Sequence, residues 1–137
     1  MERLRPTVTS LWDRAGDWIL GALCFVLAMV LYLRTMAPSV ATLFDDSLEF
    51  PLVAHDLAIA HPTGYPFYTL LGKAFTLAPG PNAAWSVNLV SAVAGALTVA
   101  LIYLLIREMG GRRLAALLGA AALMMAPVFW SQAVIAE

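Results

Sequence analysis

Residues 43–68 read LFDDSLEFPLVAHDLAIAHPTGYPFY, and the whole chain is read outward from them. The stretch holds Asp45, Asp46, Glu49 and Asp56, four of the nine acidic residues. It also holds both histidines, His55 and His61, and three of the eight prolines, Pro51, Pro62 and Pro66. On either side the sequence is mostly apolar. A polar, turn-rich, acid-bearing segment between hydrophobic runs is where chemistry is to be sought.

The composition sets the class. The chain has 137 residues, 61% of them hydrophobic and only 12% charged, with a mean hydropathy of +0.81. A soluble domain carries about a quarter charged residues. This is the profile of an integral membrane protein. A net charge of −1 gives no basic footprint for nucleic acid. Cys24 is the single cysteine and lies in an apolar run, so it reads as packing and no internal disulfide can form.

Three hydrophobic runs flank the segment. Residues 18–36 carry no charge until Arg34. At 1.5 Å per residue, about 20 helical residues cross the roughly 30 Å hydrocarbon core. A cleaved signal peptide is the alternative, with Ser39-Val40-Ala41 weakly resembling a cleavage site. An uncleaved span is preferred because further spans follow. Residues 83–106 form the second span, with Asn82 as N-cap and Trp85 and Tyr103 near its ends. Asn88, Ser91 and Gly95 lie near one face and let another helix approach closely. Residues 114–131 form the third span, rich in Ala and Gly, with Pro127 expected to kink its far end. Residues 1–17 read as an N-terminal tail or surface helix, and 18–137 as a single transmembrane unit. The expected fold class is all-α: a polytopic membrane protein with three transmembrane helices and two short interfacial helices in the first outer loop.

That loop, 37–82, divides at its prolines. A helix from about Ser47 to Ile59 sets Leu48, Leu52 and Ala58 or Ile59 toward one side, with Pro51 in or near the first turn. His61-Pro62-Thr63-Gly64-Tyr65-Pro66 cannot be regular helix, because each proline pushes the preceding residue toward extended geometry. Pro66 opens a second helix to about Leu77, with Phe67, Leu70, Leu71, Ala74 and Phe75 as an apolar stripe. Ala78 to Asn82 ends it. Two surface helices joined by a rigid elbow are expected.

Basic residues orient the chain. Arg107, Arg112 and Arg113 fall within seven residues, whereas the outer loop has one basic residue, Lys73, against four acids. The positive-inside rule puts the N-terminus and the 107–113 turn in the cytoplasm and the acid-bearing loop outside. A cell (inner) membrane protein with a periplasmic or extracellular loop is expected. A kinked third span followed directly by Glu137 reads as the front part of a longer chain.

Three motifs carry a resemblance: Asp46-Ser47-Leu48-Glu49-Phe50, then His61-Pro62-Thr63-Gly64-Tyr65-Pro66-Phe67-Tyr68, then Val87-Asn88-Leu89-Val90-Ser91. Together they resemble a bacterial membrane family related to the protein O-mannosyltransferases, and through them to the GT-C class of membrane glycosyltransferases. The resemblance runs from about residue 18 to the last residue, and the family has a further acidic position within Ser131 to Glu137. It implies transfer of a sugar, mannose in the related enzymes, from a polyprenyl-phosphate carrier to an acceptor hydroxyl on the non-cytoplasmic face. Such enzymes have around ten spans, so three spans imply only a portion of one.

Transfer with inversion needs a base for the acceptor hydroxyl. By match to the motif Asp46 is that base, with Glu49 beside it. A capping pair at a helix start is the plainer reading of both. Asp45, His61, Tyr65 and Lys73 are the candidate substrate contacts. Asp45, Asp46, Glu49 and His61 have the donor types to ligate a divalent metal, but the resemblance to O-mannosyl enzymes speaks against one, and no cofactor is expected. Lys73 and Arg34 are the basic residues on the outer side; snorkelling to headgroups is the simpler use of each. Tyr65, Phe67 and Tyr68 suit a prenyl groove or simple interfacial anchoring. His55 and Asp56 read as a solvated face. Two rivals stand beside the enzyme: a small non-catalytic membrane scaffold, and a transporter subunit, which predicts ionisable residues within spans.

Overall fold

The computed structural model describes residues 11–41 and 46–136. Asp45 and Glu137 lie outside the described residues. Among the described residues six helices follow in order: α1 (Leu11–Thr35), α2 (Asp46–Asp56), α3 (Pro66–Thr76), α4 (Ala83–Glu108), α5 (Arg113–Met124) and α6 (Pro127–Ala133). The described residues thus form an all-α membrane architecture. Two helices are long and apolar enough to cross a membrane, Arg14–Thr35 and Ala83–Glu108, and the bent pair α5–α6 makes a third if it is one span. The span expected at 18–36 starts earlier: Leu11 to Asp17 are helical and continuous with it.

Helix α4 is the centre, packing against α1, α2, α3, α5 and α6. The face of α1 toward it is Cys24, Ala28 and Tyr32, a four-residue repeat that lines up along one side of a helix and that Met36 continues just past its end. Ala92, Ala96, Val99 and Tyr103 of α4 meet it, and Ala116, Ala120 and Ala133 close the other side. The opposite face of α1, including Ile19, Val26, Leu27 and Val30, is exposed, as a lipid-facing surface is. In lipid, burial of apolar surface does not drive helices together; close contact through small residues does. Gly95 makes one such close contact. A methyl group there would lie 2.8 Å from the Ala133 Cβ and 3.3 Å from Tyr32 Cε2. Gly95→Leu is therefore expected to destabilise the bundle by about 1–3 kcal/mol, read as a lowered thermal midpoint in detergent.

The third hydrophobic run is not one kinked helix. Helix α5 stops at Met124, and α6 leaves at 65° to it. Ala126 is extended (φ −62°, ψ 123°) because it precedes Pro127, which then opens α6 at its first turn. The Tyr32 hydroxyl donates to the freed Met124 carbonyl at 3.2 Å. The bend turns the chain back under the surface helices, where Ala37 N–H donates to Val134 O at 3.0 Å.

Between α1 and α4 lies the expected helix–elbow–helix. Helix α3 matches its expected start at Pro66. Helix α2 ends earlier than expected, at Asp56, and begins one residue sooner. Pro51 is thus its sixth residue, in the second turn rather than the first. Lacking an N–H, Pro51 leaves the Ser47 carbonyl without its usual helical donor. Leu48, Leu52 and Ile59 are exposed, as are Phe67 and Leu70 of α3, while Ser47, Phe50, Val53 and Ala54 form the buried face. The buried face holds small and aromatic side chains because α3 and α4 press close. Gly72 of α3 admits Ala54 so tightly that a methyl there would lie 2.8 Å from the Ala54 Cβ. Asn82 caps α4 as expected, Oδ1 accepting from Trp85 N at 2.8 Å.

Candidate active site

The first turn of α2 puts Asp46 and Glu49 three residues apart and so on one face. The elbow then brings His61 back against that face. The His61 backbone N–H donates to Glu49 Oε1 at 2.6 Å, and Nδ1 pairs with Oε2 at 2.7 Å. Both Glu49 oxygens are engaged in this clasp. The turn behind it is closed by Gly64 N–H donating to His61 O at 2.7 Å, with Gly64 at φ +87°. Ligating atoms of Asp46, Glu49 and His61 all lie within 4.8 Å of one another, and all three residues are half-buried.

An aromatic cluster holds the elbow in place. Phe50, buried between the carboxylates' helix and α3, has its ring centroid 4.9 Å from Tyr68, 5.3 Å from Tyr65 and 6.0 Å from His61. The His61 and Tyr65 rings are 5.1 Å apart. Tyr65 takes a left-handed backbone (φ 41°). For a non-glycine residue this costs roughly 1–2 kcal/mol, offset here by its edge-on contact with Phe50. Phe50 matters more to the site than its sequence suggests; an aromatic directly after Glu49 is the available signal.

The electrostatics follow from the clasp. The hydrogen bond to Glu49 raises the His61 pKa above its ordinary 6.5, and burial only partly opposes this, while the charges of Glu49 and Asp46 add to it. The same pair of hydrogen bonds lowers Glu49 below its ordinary 4.5. Because the His61 value is raised on folding, its stabilisation is complete below 6.5 and is lost as pH rises through the folded value. Because the Glu49 value is lowered, its stabilisation is complete above 4.5 and is lost as pH falls through the folded value. Protection of the His61 amide from hydrogen exchange should therefore be greatest, after correction for intrinsic exchange rates, between about pH 4.5 and 6.5. It should fall on both sides, and His61→Asn should remove the alkaline limb.

The other expected site residues fall elsewhere. Lys73 does not reach the carboxylates. Its ammonium donates to His55 O at 2.6 Å, at the opposite end of α2, where unpaired carbonyls and the helix dipole favour a cation. His55 and Asp56 pair at 2.7 Å on an exposed face, as expected of solvated groups. Arg34 is exposed in the last turn of α1.

The far end of the bundle holds a cluster that the sequence does not announce. Asp17 is buried, accepting from Arg107 Nη2 and Arg113 Nε at 2.9 Å each and from the Tyr103 hydroxyl at 3.3 Å. It fastens the start of α1 to the α4–α5 turn. The start of α1 and the basic turn therefore share one end of the bundle, and the elbow lies at the other.

The fold and site define an all-helical membrane segment with a carboxylate–imidazole cluster on a short helix outside its spans. The family model for the N-terminal domain of protein O-mannosyl-transferase TMEM260 matches residues 46–137, and the chain belongs to this family. Protein O-mannosyl-transferase TMEM260 of Mus musculus is 32% identical over 127 residues, covering 90% of this chain and 18% of the mouse protein. Protein O-mannosyl-transferase tmem260 of Dictyostelium discoideum is 32% identical over 111 residues, 79% of this chain and 13% of that protein. The chain thus spans less than a fifth of the length of these relatives. No solved structure matches it.

Proposed function

We propose that the chain is the N-terminal part of a GT-C-type membrane glycosyltransferase. It would move a sugar, mannose by analogy with its relatives' names, from a polyprenyl-phosphate carrier to an acceptor hydroxyl on the non-cytoplasmic face of the cell membrane. The observation that carries this is the convergence of Asp46, Glu49 and His61 at the end of the bundle remote from the basic turn. Asp46 takes the proton of the acceptor hydroxyl as its oxygen attacks the anomeric carbon. The carrier phosphate leaves with the electrons of the broken C–O bond. Glu49 is a poorer base because His61 engages both its oxygens and holds its pKa down. Its part is to keep His61 charged, with Nε2 as the ring's second donor, toward the leaving phosphate or a sugar hydroxyl. Tyr65 flanks His61 and offers a face to the sugar. Asp45 precedes the base in sequence as a further substrate contact. Lys73, engaged at the other end of α2, acts at the membrane surface, and the remaining donor and acceptor contacts come from beyond this segment.

The cluster also has the donor types of a divalent-metal site. The metal-free reading is preferred because a metal would compete with His61 for Glu49. Transfer should then be unchanged by EDTA; loss on chelation and recovery with Mn²⁺ or Mg²⁺ would replace it with the metal reading. The function itself is tested by giving the full-length chain in vesicles either a polyprenyl-phosphate sugar or a nucleotide sugar. Product is expected from the lipid-linked donor alone. Equal transfer from the nucleotide sugar without a lipid carrier would overturn the proposal.

A further inference from the structure

Asp46 is the first residue of a short helix in which Pro51 removes a backbone hydrogen bond, so contacts outside α2 must help to hold it. The residues that do so are buried and fully engaged. Ser47, 1% exposed, donates through Oγ to Ala136 O at 2.7 Å. Asn88 of α4, also 1% exposed, accepts from Ala136 N–H at 2.9 Å. The same Asn88 donates through Nδ2 to Ala37 O at 3.0 Å and Ser39 O at 3.1 Å. Both N–H groups of the amide and its oxygen are thus used. One side chain gathers the chain leaving α1, the chain leaving α6 and, through Ala136 and Ser47, the first turn of α2. An asparagine this deep in an apolar helix is expensive unless all its groups are paired.

We infer that Ser47 and Asn88 are positioning residues for Asp46. Asn88 fixes the Ala136 peptide, and that peptide holds the turn of α2 that carries the base. The inference rests on the proposed function, because positioning matters only if Asp46 takes a proton. Misplacing a reacting group by about 1 Å can cost roughly 100-fold in rate. The loss should appear in kcat rather than KM, since Ser47 faces Ala136 and not the substrate.

The test uses the full-length chain with Ser47→Ala, which removes one oxygen and leaves the helix residue intact. Turnover per folded molecule should fall about 10- to 100-fold, with KM for donor and acceptor within about threefold. Ser47→Thr, which keeps the hydroxyl, should retain most of the rate. Hydrogen exchange at the Glu49 and Phe50 amides should quicken in Ser47→Ala. Asn82→Ala is the structural control: Asn82 ties the same region through Pro38 O at 3.0 Å, and its side-chain hydrogen bonds run to Pro38 and Trp85, not to α2. It should leave kcat within about twofold. Unchanged exchange in Ser47→Ala overturns the pin itself. Faster exchange with unchanged kcat, or an equal kcat loss in Asn82→Ala, overturns the positioning role. A wild-type chain that transfers no sugar overturns the functional reading and this inference with it.

Discussion

Asp46→Asn in the full-length chain should lower sugar transfer by about 10²- to 10⁴-fold, the range that a positioned general base supplies. The substitution keeps size and hydrogen-bonding capacity, so membrane insertion and donor binding should survive. The reason lies in how the three ionisable groups differ. Glu49 and His61 are locked together by two hydrogen bonds, one of them to the backbone. Asp46 stands beside this clasp without belonging to it. Glu49→Gln should therefore give a different result from Asp46→Asn. The His61 backbone bond can persist to the amide oxygen, but His61 loses the carboxylate whose hydrogen bond, and then whose charge, raises its pKa. The pH–rate profile should then shift its alkaline limb downward in Glu49→Gln, whereas Asp46→Asn should flatten the rate at every pH.

The largest stability effect is expected at the other end of the bundle. Asp17→Ala should cost about 3 kcal/mol, the lower end of the range for breaking a buried ion pair. The lower end applies because the Arg113 side chain is 43% exposed, while that of Asp17 is 13% exposed. The loss removes acceptors from Arg107, Arg113 and Tyr103 at once. It also releases the start of α1, so resistance to unfolding by SDS titration should fall while the elbow's own exchange pattern changes little. A drop below about 1 kcal/mol would mean that lipid phosphates replace the carboxylate.

What the sequence makes legible differs from element to element. The spans could be read because bilayer thickness sets helix length, and the elbow because proline and glycine act on their nearest neighbours. The pairing of His61 with Glu49 twelve residues earlier follows only in part: the motifs put them in one loop, but the clasp depends on how Phe50 stacks. The break at Ala126 is sharper than the sequence implies, since proline marks a boundary without giving the angle. Asp17 reads as a tail residue, because an acid in a mixed-charge stretch does not reveal arginines about ninety positions away. Asn88 reads as a packing position. Its hold on Ala136 is not legible, because it depends on the bend between α5 and α6.

The account is tested most directly by chemical rescue of the base. In a full-length chain bearing Asp46→Gly, added formate supplies a small carboxylate to the space the side chain leaves. Transfer is predicted to be nearly absent without formate and to rise with its concentration, while Glu49→Gln gains nothing. Wild-type transfer by Asp46→Gly in formate-free buffer, or equal stimulation of both variants, would contradict the assignment.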